Sequence, residues 1–482
     1  MTEPAAAGSG PAQECDVVVL GAGPTGENAA DYAHRAGLSV ALVESELVGG
    51  ECSYWACMPS KALLRTGHAV AAARRLPGVV AEFDPAAVLK RRDEFTHDWH
   101  DDSQVDWAEG AGLTVVRGLG RLAGERTVVL DDGRRLHARH AVVVATGSVP
   151  VRPPLPGLDS VRTWTSRDAT SAHAVPGRLA VVGGGVVGCE MAQAWRRLGS
   201  EVVLLVRGPQ LLAGMEPFAG ERVADALRAE GVDLRLSTTA DSVAPAGPDG
   251  AAIALSVGGA TVVVDELLIA TGRRPNTADV GLDAVGLEPG HALEVDDSGL
   301  VAGVDGGWLY AAGDVTGRAL LTHQGKYQGR IVGATIGARA AGGAVDTGPW
   351  GEHASTADHG AVPQVVFTDP EVASVGRTAA QARADGLDCV VVDLPIAVGG
   401  SSLHADGYDG AVRMVVDRAR EVVVGVTFVG QDVAELVHAA TIAIVGEVPL
   451  GRLWHAVPAY PTISEIWLRL LEQYRGGPLG CR

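Results

Sequence analysis

The sequence predicts an α/β protein built from two Rossmann-like dinucleotide-binding domains and a C-terminal α+β domain. A strand, glycine turn, helix, strand series begins near residue 16, and the same series begins again near residue 178. Beyond about residue 360 no such series recurs, and short apolar strands accompany two helical runs instead. The 482 residues are too many for one hydrophobic core and imply roughly two to four domains. Apolar residues at 47% and charged residues at 20% give an ordinary globular composition. The net charge of -19 argues against nucleic acid or an anionic membrane surface as the main partner, while leaving room for a local basic pocket. Six cysteines in so long a chain are not a secreted disulfide framework, and a cytoplasmic location is expected. Residues 1–13 carry no cationic or long apolar stretch and read as a loose tail, not a signal peptide. No apolar run reaches the roughly 18 residues needed to span a bilayer, so no membrane partner is expected.

The first strand, 16–20, leads into Gly21-Ala22-Gly23-Pro24-Thr25-Gly26; a helix to about residue 36 and a strand 39–43 ending at Glu44 follow. The glycines allow a tight turn and let backbone approach a pyrophosphate, whose charge sits at the helix N-terminus, while Glu44 is placed to bond ribose hydroxyls. The second series runs through strand 178–182, the turn Gly183-Gly184-Gly185-Val186-Val187-Gly188, helix 189–198 and strand 201–205. Two such units imply two dinucleotides, and the commonest chemistry joining them is hydride transfer from a nicotinamide to a flavin. The second unit ends in Val206 and Arg207 where an acid would hold the 2′-hydroxyl of NAD. Loss of the carboxylate and gain of a cation favour NADPH over NADH, although no second cation follows in 208–214.

Three further strands end in small residues where a backbone must pass close to something: 142–147 (ending Thr146, Gly147), 267–272 (ending Gly272) and 309–314 (ending Gly313, Asp314). The Asp314 carboxylate is positioned either to accept hydrogen bonds from a polyol or simply to cap a helix. Pro153, Pro154 and Pro156, and Arg274-Pro275-Asn276, read as crossings between domains. Residues 337–361 are rich in Gly and Ala and read as a linker. Strands are expected at 365–367, 389–394, 411–416 and 422–429, with helices at 378–385 and 433–445.

Just past the strand 39–43 and Glu44 come residues 49–61, GGECSYWACMPSK, with four residues separating Cys52 from Cys57. In an ideal helix residues five apart have Cα atoms roughly 8.7 Å apart, whereas a disulfide wants less than about 7 Å. A bridge therefore needs a distorted turn, for which Pro59 supplies a cause: it cannot donate to the carbonyl of Trp55 and disfavours helical geometry at Met58. On spacing alone, two cysteines buried as small apolar residues is the competing reading. Cys15, Cys189, Cys389 and Cys481 show no pairing pattern.

Taken together, GAGPTG, GGECSYWACMPSK, GGGVVG, the two ATG stretches, AAGDV and residues 362–376 (VPQVVFTDPEVASVG) closely resemble the flavin-dependent pyridine nucleotide-disulfide oxidoreductases, over nearly the whole chain. The resemblance implies FAD held by the first fold, through Gly21, Gly23, Gly26, Glu44, Gly50, Lys61, Thr146, Gly147, Gly313 and Asp314. It implies NAD(P)H held by the second, through Gly183, Gly185, Gly188, Arg207 and Gly272. It further implies a homodimer made by the last domain, with active sites shared between subunits. The expected division is a tail 1–13, an FAD domain in two parts (14–150 and 278–350), an NAD(P) domain 151–277 and a dimerisation domain 351–482. Carried over by position, Cys57 is the sulfur against the flavin and Cys52 the one that attacks substrate; Lys61 lies near flavin N5 with Glu190 as its ion-pair partner. A cation there stabilises the reduced, anionic ring and favours a neighbouring thiolate. No metal site is expected.

The chain departs from the family at two places. Ser53-Tyr54-Trp55-Ala56 sets two large aromatics between the cysteines where the family usually has an Asn, and Tyr460-Pro461-Thr462 replaces His-Pro-Thr, with Ser464 and Glu465 retained. The lost histidine shuttles protons to substrate thiols. A histidine titrates near about 6.5 and works in both directions, while a tyrosine titrates near about 10, so Tyr460 is a donor at neutral pH and a poor base. Oxidation of a dithiol such as dihydrolipoamide needs a base, which argues against that activity. His455, five residues upstream, does not match the family position and reads as a partly buried structural residue. Val186, where glutathione reductase-like members carry a gating tyrosine, leaves the nicotinamide pocket more open. The expected function is an NAD(P)H-dependent, FAD-dependent oxidoreductase passing electrons through Cys52 and Cys57 to a disulfide, with Tyr460 and Glu465 lining the entry. The alternatives are a reductase of a quinone, metal ion or other electrophile, which the missing histidine favours, and a non-catalytic flavoprotein sensor.

Overall fold

The computed structural model describes residues 12–476; most of the expected tail, through residue 11, and Cys481 lie outside the described residues. The chain divides by contact into two units, one comprising 1–58, 93–151 and 273–358, the other 59–92, 152–272 and 359–482.

In the first unit, a seven-stranded sheet has the order Thr114–Arg117, Val40–Glu44, Gln13–Leu20, Arg135–Val144, Thr127–Leu130 and Gly120–Leu122, with Leu309–Ala311 also pairing with Arg135–Val144. Its central strands are valine runs buried on both faces, as parallel strands covered on both sides require: Val17, Val18, Val19, Val142, Val143 and Val144 are each 0% exposed. The first strand starts at Gln13, three residues before the sequence suggested, because its amino-terminal end still pairs with Arg135–Val144 across a bulge. Helix Pro24–Arg35 packs against helix Thr322–Ala340.

The expected linker at 337–361 is present in shortened form: residues 341–355 carry neither helix nor strand, and the division between the two units falls after Asp358. Residues 337–340 complete the Thr322–Ala340 helix, and the stretch ends in a short 3-10 turn, Thr356–His359. Asp358 is nearly solvent-free and accepts from Gln324 Nε2 (2.6 Å) and Gln328 Nε2 (2.8 Å). Asp358 thus satisfies two side-chain amides of the Thr322–Ala340 helix.

The second unit holds a parallel sheet of order Asp233–Arg235, Glu201–Leu205, Arg178–Val182, Glu266–Ile269, and a three-stranded antiparallel meander, Ser242–Ala246, Ala252–Val257 and Ala260–Val264. Its carboxy-terminal part is a five-stranded antiparallel sheet ordered Pro363–Val366, Glu371–Gly376, Val422–Gly430, Ala411–Asp417, Cys389–Pro395. Strand Val422–Gly430 is central and buried at every position. Helices Ala379–Ala384 and Val437–Val445 accompany it. The Glu371–Gly376 strand and the meander went unread in the sequence because their apolar runs are short and interrupted by polar residues. No helix among the described residues is long and apolar enough to cross a membrane.

Candidate active site

Cys52 and Cys57 belong to the first unit. A short helix, Gly50–Tyr54, ends at Trp55 (φ -136°), and a new helix, Cys57–Arg74, begins at the second cysteine. Between them the Glu51 carbonyl accepts both the Trp55 N–H (2.8 Å) and the Ala56 N–H (2.6 Å). The expected distortion is present, but its position differs. Met58 is helical, and Pro59 sits in the first turn of the second helix, where its missing N–H would have had no intrahelical partner anyway. The break falls instead at Trp55 and Ala56.

Both sulfurs are free thiols and partly exposed. Their hydrogen bond to each other is the largest influence on Cys52, ahead of burial; together these push its thiol far above the ordinary range, while the Thr322 hydroxyl and the Lys326 ammonium act the other way. The Thr322 hydroxyl lies 3.2 Å from Cys57 Sγ. Thr322 opens helix Thr322–Ala340, and its part in the site had no sequence signal, since 265 residues separate it from Cys57. Of the two intervening aromatics, Tyr54 is 1% exposed and packs inward, with its ring centroid 5.8 Å from that of half-buried Trp55.

The glycine turn is built as its motif requires. A Cβ on Gly26 would lie 1.8 Å from the Gly21 carbonyl oxygen, so only glycine admits the helix this close to its own turn. Gly50 has a left-handed backbone (φ +59°), and a Cβ there would meet Gly23 Cα at 2.8 Å. Helix Pro24–Arg35 has no side-chain cap at Gly23, which leaves its first N–H groups for an anion. Glu44 accepts from the Ala22 N–H (2.8 Å) and the Glu46 N–H (2.8 Å), so it braces the turn as well as closing the strand. Thr146 Oγ1 donates to the Asn276 carbonyl (2.7 Å), and the Asn276 N–H returns to the Gly147 carbonyl (2.9 Å).

Asp314 lies inside the 3-10 turn Gly313–Thr316 and does not cap it; its Oδ2 accepts from Ser148 Oγ (2.5 Å). Burial raises its carboxyl above the usual range, against the Ser148 hydrogen bond and Arg273. The Gly313 N–H is held by Gln328 Oε1 (2.7 Å). An uncapped helix end, a backbone-only approach at Gly23 and Gly50, and a half-buried carboxylate at Asp314 fit a flavin dinucleotide. Glu27, in the first turn of the helix, adds a buried carboxyl that desolvation pushes up to about 7; its Oε1 has no partner among the described residues.

In the second unit, Lys61 Nζ is 2.8 Å from Glu190 Oε2 and 4.9 Å from the centroid of the Phe367 ring. Glu190 is buried on helix Val186–Leu198, and its Oε1 accepts from the Phe367 N–H (2.9 Å). A buried carboxylate thus has both oxygens satisfied, and Lys61 is tethered rather than solvated. The turn at Gly183 repeats the first: a Cβ on Gly188 would lie 1.9 Å from the Gly183 carbonyl oxygen, and the helix has no side-chain cap at Gly185. Gly272 takes a left-handed backbone, φ +132°. Arg207 is exposed just past strand Glu201–Leu205. Arg235, on the neighbouring strand opposite Leu205, is engaged by Asp233 (2.6 Å).

Tyr460 is 78% exposed, and Glu465 is buried with its Oε1 2.5 Å from Arg469 and its Oε2 unpartnered among the described residues. His455 is exposed, not partly buried as its sequence context suggested, because it follows the short helix Leu450–Leu453 into an open turn. Among the described residues no cluster of His, Cys, Asp or Glu is arranged to hold a metal ion.

Residues 15–331 match the family model described as pyridine nucleotide-disulphide oxidoreductase, and 362–470 match its dimerisation domain. The chain belongs to this family. The family's members include a dihydrolipoyl dehydrogenase of Bacillus subtilis (strain 168), 32% identical over 97% of each chain. A mercuric reductase of Acidithiobacillus ferrooxidans is 33% identical over 94% of this chain and 81% of its own. Among solved structures, the HOCl-induced flavoprotein disulfide reductase RclA from Escherichia coli superposes with a TM-score of 0.80 at 25% identity, covering 95% of this chain and 99% of that one. LpdA from Mycobacterium tuberculosis gives 0.79 at 25% identity, covering 96% and 100%. As a pyridine nucleotide-disulphide oxidoreductase, the protein is a flavoprotein enzyme that uses FAD and a pyridine nucleotide, and its dimerisation domain points to a homodimer.

Proposed function

We propose that the protein carries an electron pair from NAD(P)H, with NADPH preferred, through FAD to the Cys52–Cys57 pair and on to a disulfide, in the balance NAD(P)H + H⁺ + RSSR → NAD(P)⁺ + 2 RSH. The observation that carries this reading is the pair of partly exposed cysteines flanking a broken helix, with the Thr322 hydroxyl 3.2 Å from Cys57 Sγ. Bound FAD supplies the two-electron link between nicotinamide and disulfide. Once reduced, Cys52 attacks one sulfur of the substrate, forming a mixed disulfide and expelling the first thiolate; Cys57 then attacks Cys52, releases the second thiolate and restores the Cys52–Cys57 bond. Tyr460, supplied across the dimer together with Glu465, donates a proton to a leaving thiolate and recovers it from water. Lys61, held by Glu190, supplies the cation on the flavin side. Arg207 favours the 2′-phosphate of NADPH.

A second reading, reduction of an acceptor that is not a disulfide, such as a quinone or metal ion, is favoured by one observation: Tyr460 stands where dithiol-processing relatives carry histidine. Anaerobic NADPH addition tests the first reading. A long-wavelength thiolate-to-flavin charge-transfer band that disappears in Cys57→Ser supports it, and its absence from the wild type overturns it. Turnover of disulfides, quinones and metal ions with each nucleotide separates the two readings. Full quinone reduction by Cys52→Ser and Cys57→Ser, with no disulfide turnover by the wild type, selects the second. Arg207→Ala is expected to raise the KM for NADPH about tenfold and leave that for NADH nearly unchanged, from the loss of one charge-assisted phosphate contact.

A further inference from the structure

One hydrogen-bonded path in the first unit runs from the Asp314 carboxylate to the turn between the cysteines, and the sequence motifs leave most of it unaccounted for. Arg273 donates from Nε to Ser148 Oγ (2.7 Å) and from Nη2 to the Ser148 carbonyl (2.6 Å) and to Glu51 Oε2 (2.5 Å). A guanidinium only donates, so Ser148 Oγ must accept from it, and its single O–H is directed to Asp314 Oδ2 at 2.5 Å. Strands Ser148–Pro150 and Arg273–Pro275 pair antiparallel, Arg274 opposite Val149, which fixes the guanidinium relative to Ser148. Arg273 and Glu51 are each only 22% exposed, so the ion pair is substantially shielded from solvent. At the far end, the Glu51 carbonyl accepts both N–H groups, of Trp55 and Ala56, that shape the break between the helices bearing Cys52 and Cys57. The side chain held by Arg273 and the carbonyl that sets the dithiol turn therefore belong to one residue.

We propose that Glu51 and Arg273 are positioning residues for the dithiol: the hydrogen bond from Arg273 to the Glu51 side-chain oxygen anchors the turn at residue 51 to the Asp314 side of the cofactor fold and so sets where the Cys57 sulfur stands. The inference rests on the reading of Cys52 and Cys57 as the redox pair. Four side chains, with 222 residues between Glu51 and Arg273 and 166 between Ser148 and Asp314, converge on this path, so it is a built connection and not a local turn preference. Glu51 acts through the backbone it carries and touches neither sulfur in this role.

The test compares Glu51→Ala with Glu51→Gln, both as FAD-loaded protein. Gln keeps an oxygen acceptor for Arg273 and loses the charge; Ala removes the acceptor. After anaerobic two-electron reduction at a pH where the band is fully developed, the charge-transfer absorbance reports the approach of the Cys57 thiolate to the flavin. It should fall at least twofold in Glu51→Ala and return to within about a quarter of the wild-type value in Glu51→Gln, with FAD content per chain unchanged in both. The rate of Cys52 alkylation by iodoacetamide in the reduced protein should change at least twofold in Glu51→Ala only. A wild-type band that survives unchanged in Glu51→Ala overturns the proposal, as does an equal fall in both variants, which assigns the effect to charge alone. Loss of FAD together with the band in Glu51→Ala also overturns it, since the path would then serve cofactor retention. If the wild type itself gives no band, the redox reading of the pair fails first, and that result is distinct from these.

Discussion

Single residues in this protein take their chemistry from what surrounds them, and His68 shows it in a measurable form. It lies on helix Cys57–Arg74, and burial, with the Arg197 guanidinium second, pushes its imidazole down to about 4; Arg65 acts in the same direction, and Asp369 and Asp432 oppose. An unfolded histidine titrates near about 6.5, so on acidification the unfolded chain takes up the proton first. The contribution of His68 is therefore fully present above about pH 6.5 and is lost as pH falls toward 4. In urea titrations of the wild type and His68→Gln between pH 7.5 and 4.5, the wild type should lose stability more steeply; parallel pH profiles would refute this. Lys61 and Glu190 make the complementary point. Their pairing was legible from the family positions, but not the Phe367 N–H that satisfies the second carboxylate oxygen, because a backbone donor leaves no mark on residue type.

At the scale of elements, the contact between helices Pro24–Arg35 and Thr322–Ala340 depends on a glycine every fourth residue, at 325, 329, 333 and 337, a spacing that keeps them on one face. A Cβ on Gly333 would lie 2.5 Å from the Ala29 carbonyl oxygen and 2.9 Å from the Ala33 N, both backbone atoms that cannot rotate away. Gly333→Ala should therefore cost about 1–3 kcal/mol despite its better helix propensity, and it should weaken FAD retention, since the displaced helix carries the Gly21–Gly26 turn. Gly110, at the end of helix Asp102–Gly110 with open space around its Cα, is the control: Gly110→Ala should be neutral or slightly stabilising. Equal thermal midpoints for the two variants would show that the helices do not need this close approach. The period-four glycines were present in the sequence, but only Gly337 falls in the stretch read as linker, and glycine inside a helix leaves no sign of the partner helix it admits.

For the whole molecule, the large apolar side chains left exposed on one chain include Leu403 (70%), Ile442 (57%) and Val457 (85%), with Tyr460 (78%), all within the matched dimerisation domain. Their place in the matched dimerisation domain makes them the residues to test for the subunit interface. Val457→Glu should shift the protein toward monomer in sedimentation velocity at low micromolar concentration and, on the proposal that active sites are shared between subunits, lower turnover in parallel. A variant that stays dimeric excludes Val457 from the interface; a fully active monomer excludes shared sites.

By itself the sequence determined the two dinucleotide folds, the position of the dithiol stretch and the loss of the histidine at Tyr460, because each is written in local spacing: glycines that only a tight turn tolerates, strands of unbroken valine, and an ordered run of residue types. Tertiary structure alone decided which polar groups meet across long stretches of chain. The Thr322 hydroxyl beside Cys57, the path from Asp314 through Ser148 and Arg273 to Glu51, and the burial of Asp358 in a stretch read as linker all depend on partners far away in sequence. Local propensity fixes what an isolated segment prefers, whereas a buried hydrogen bond exists only once distant segments have packed and excluded water.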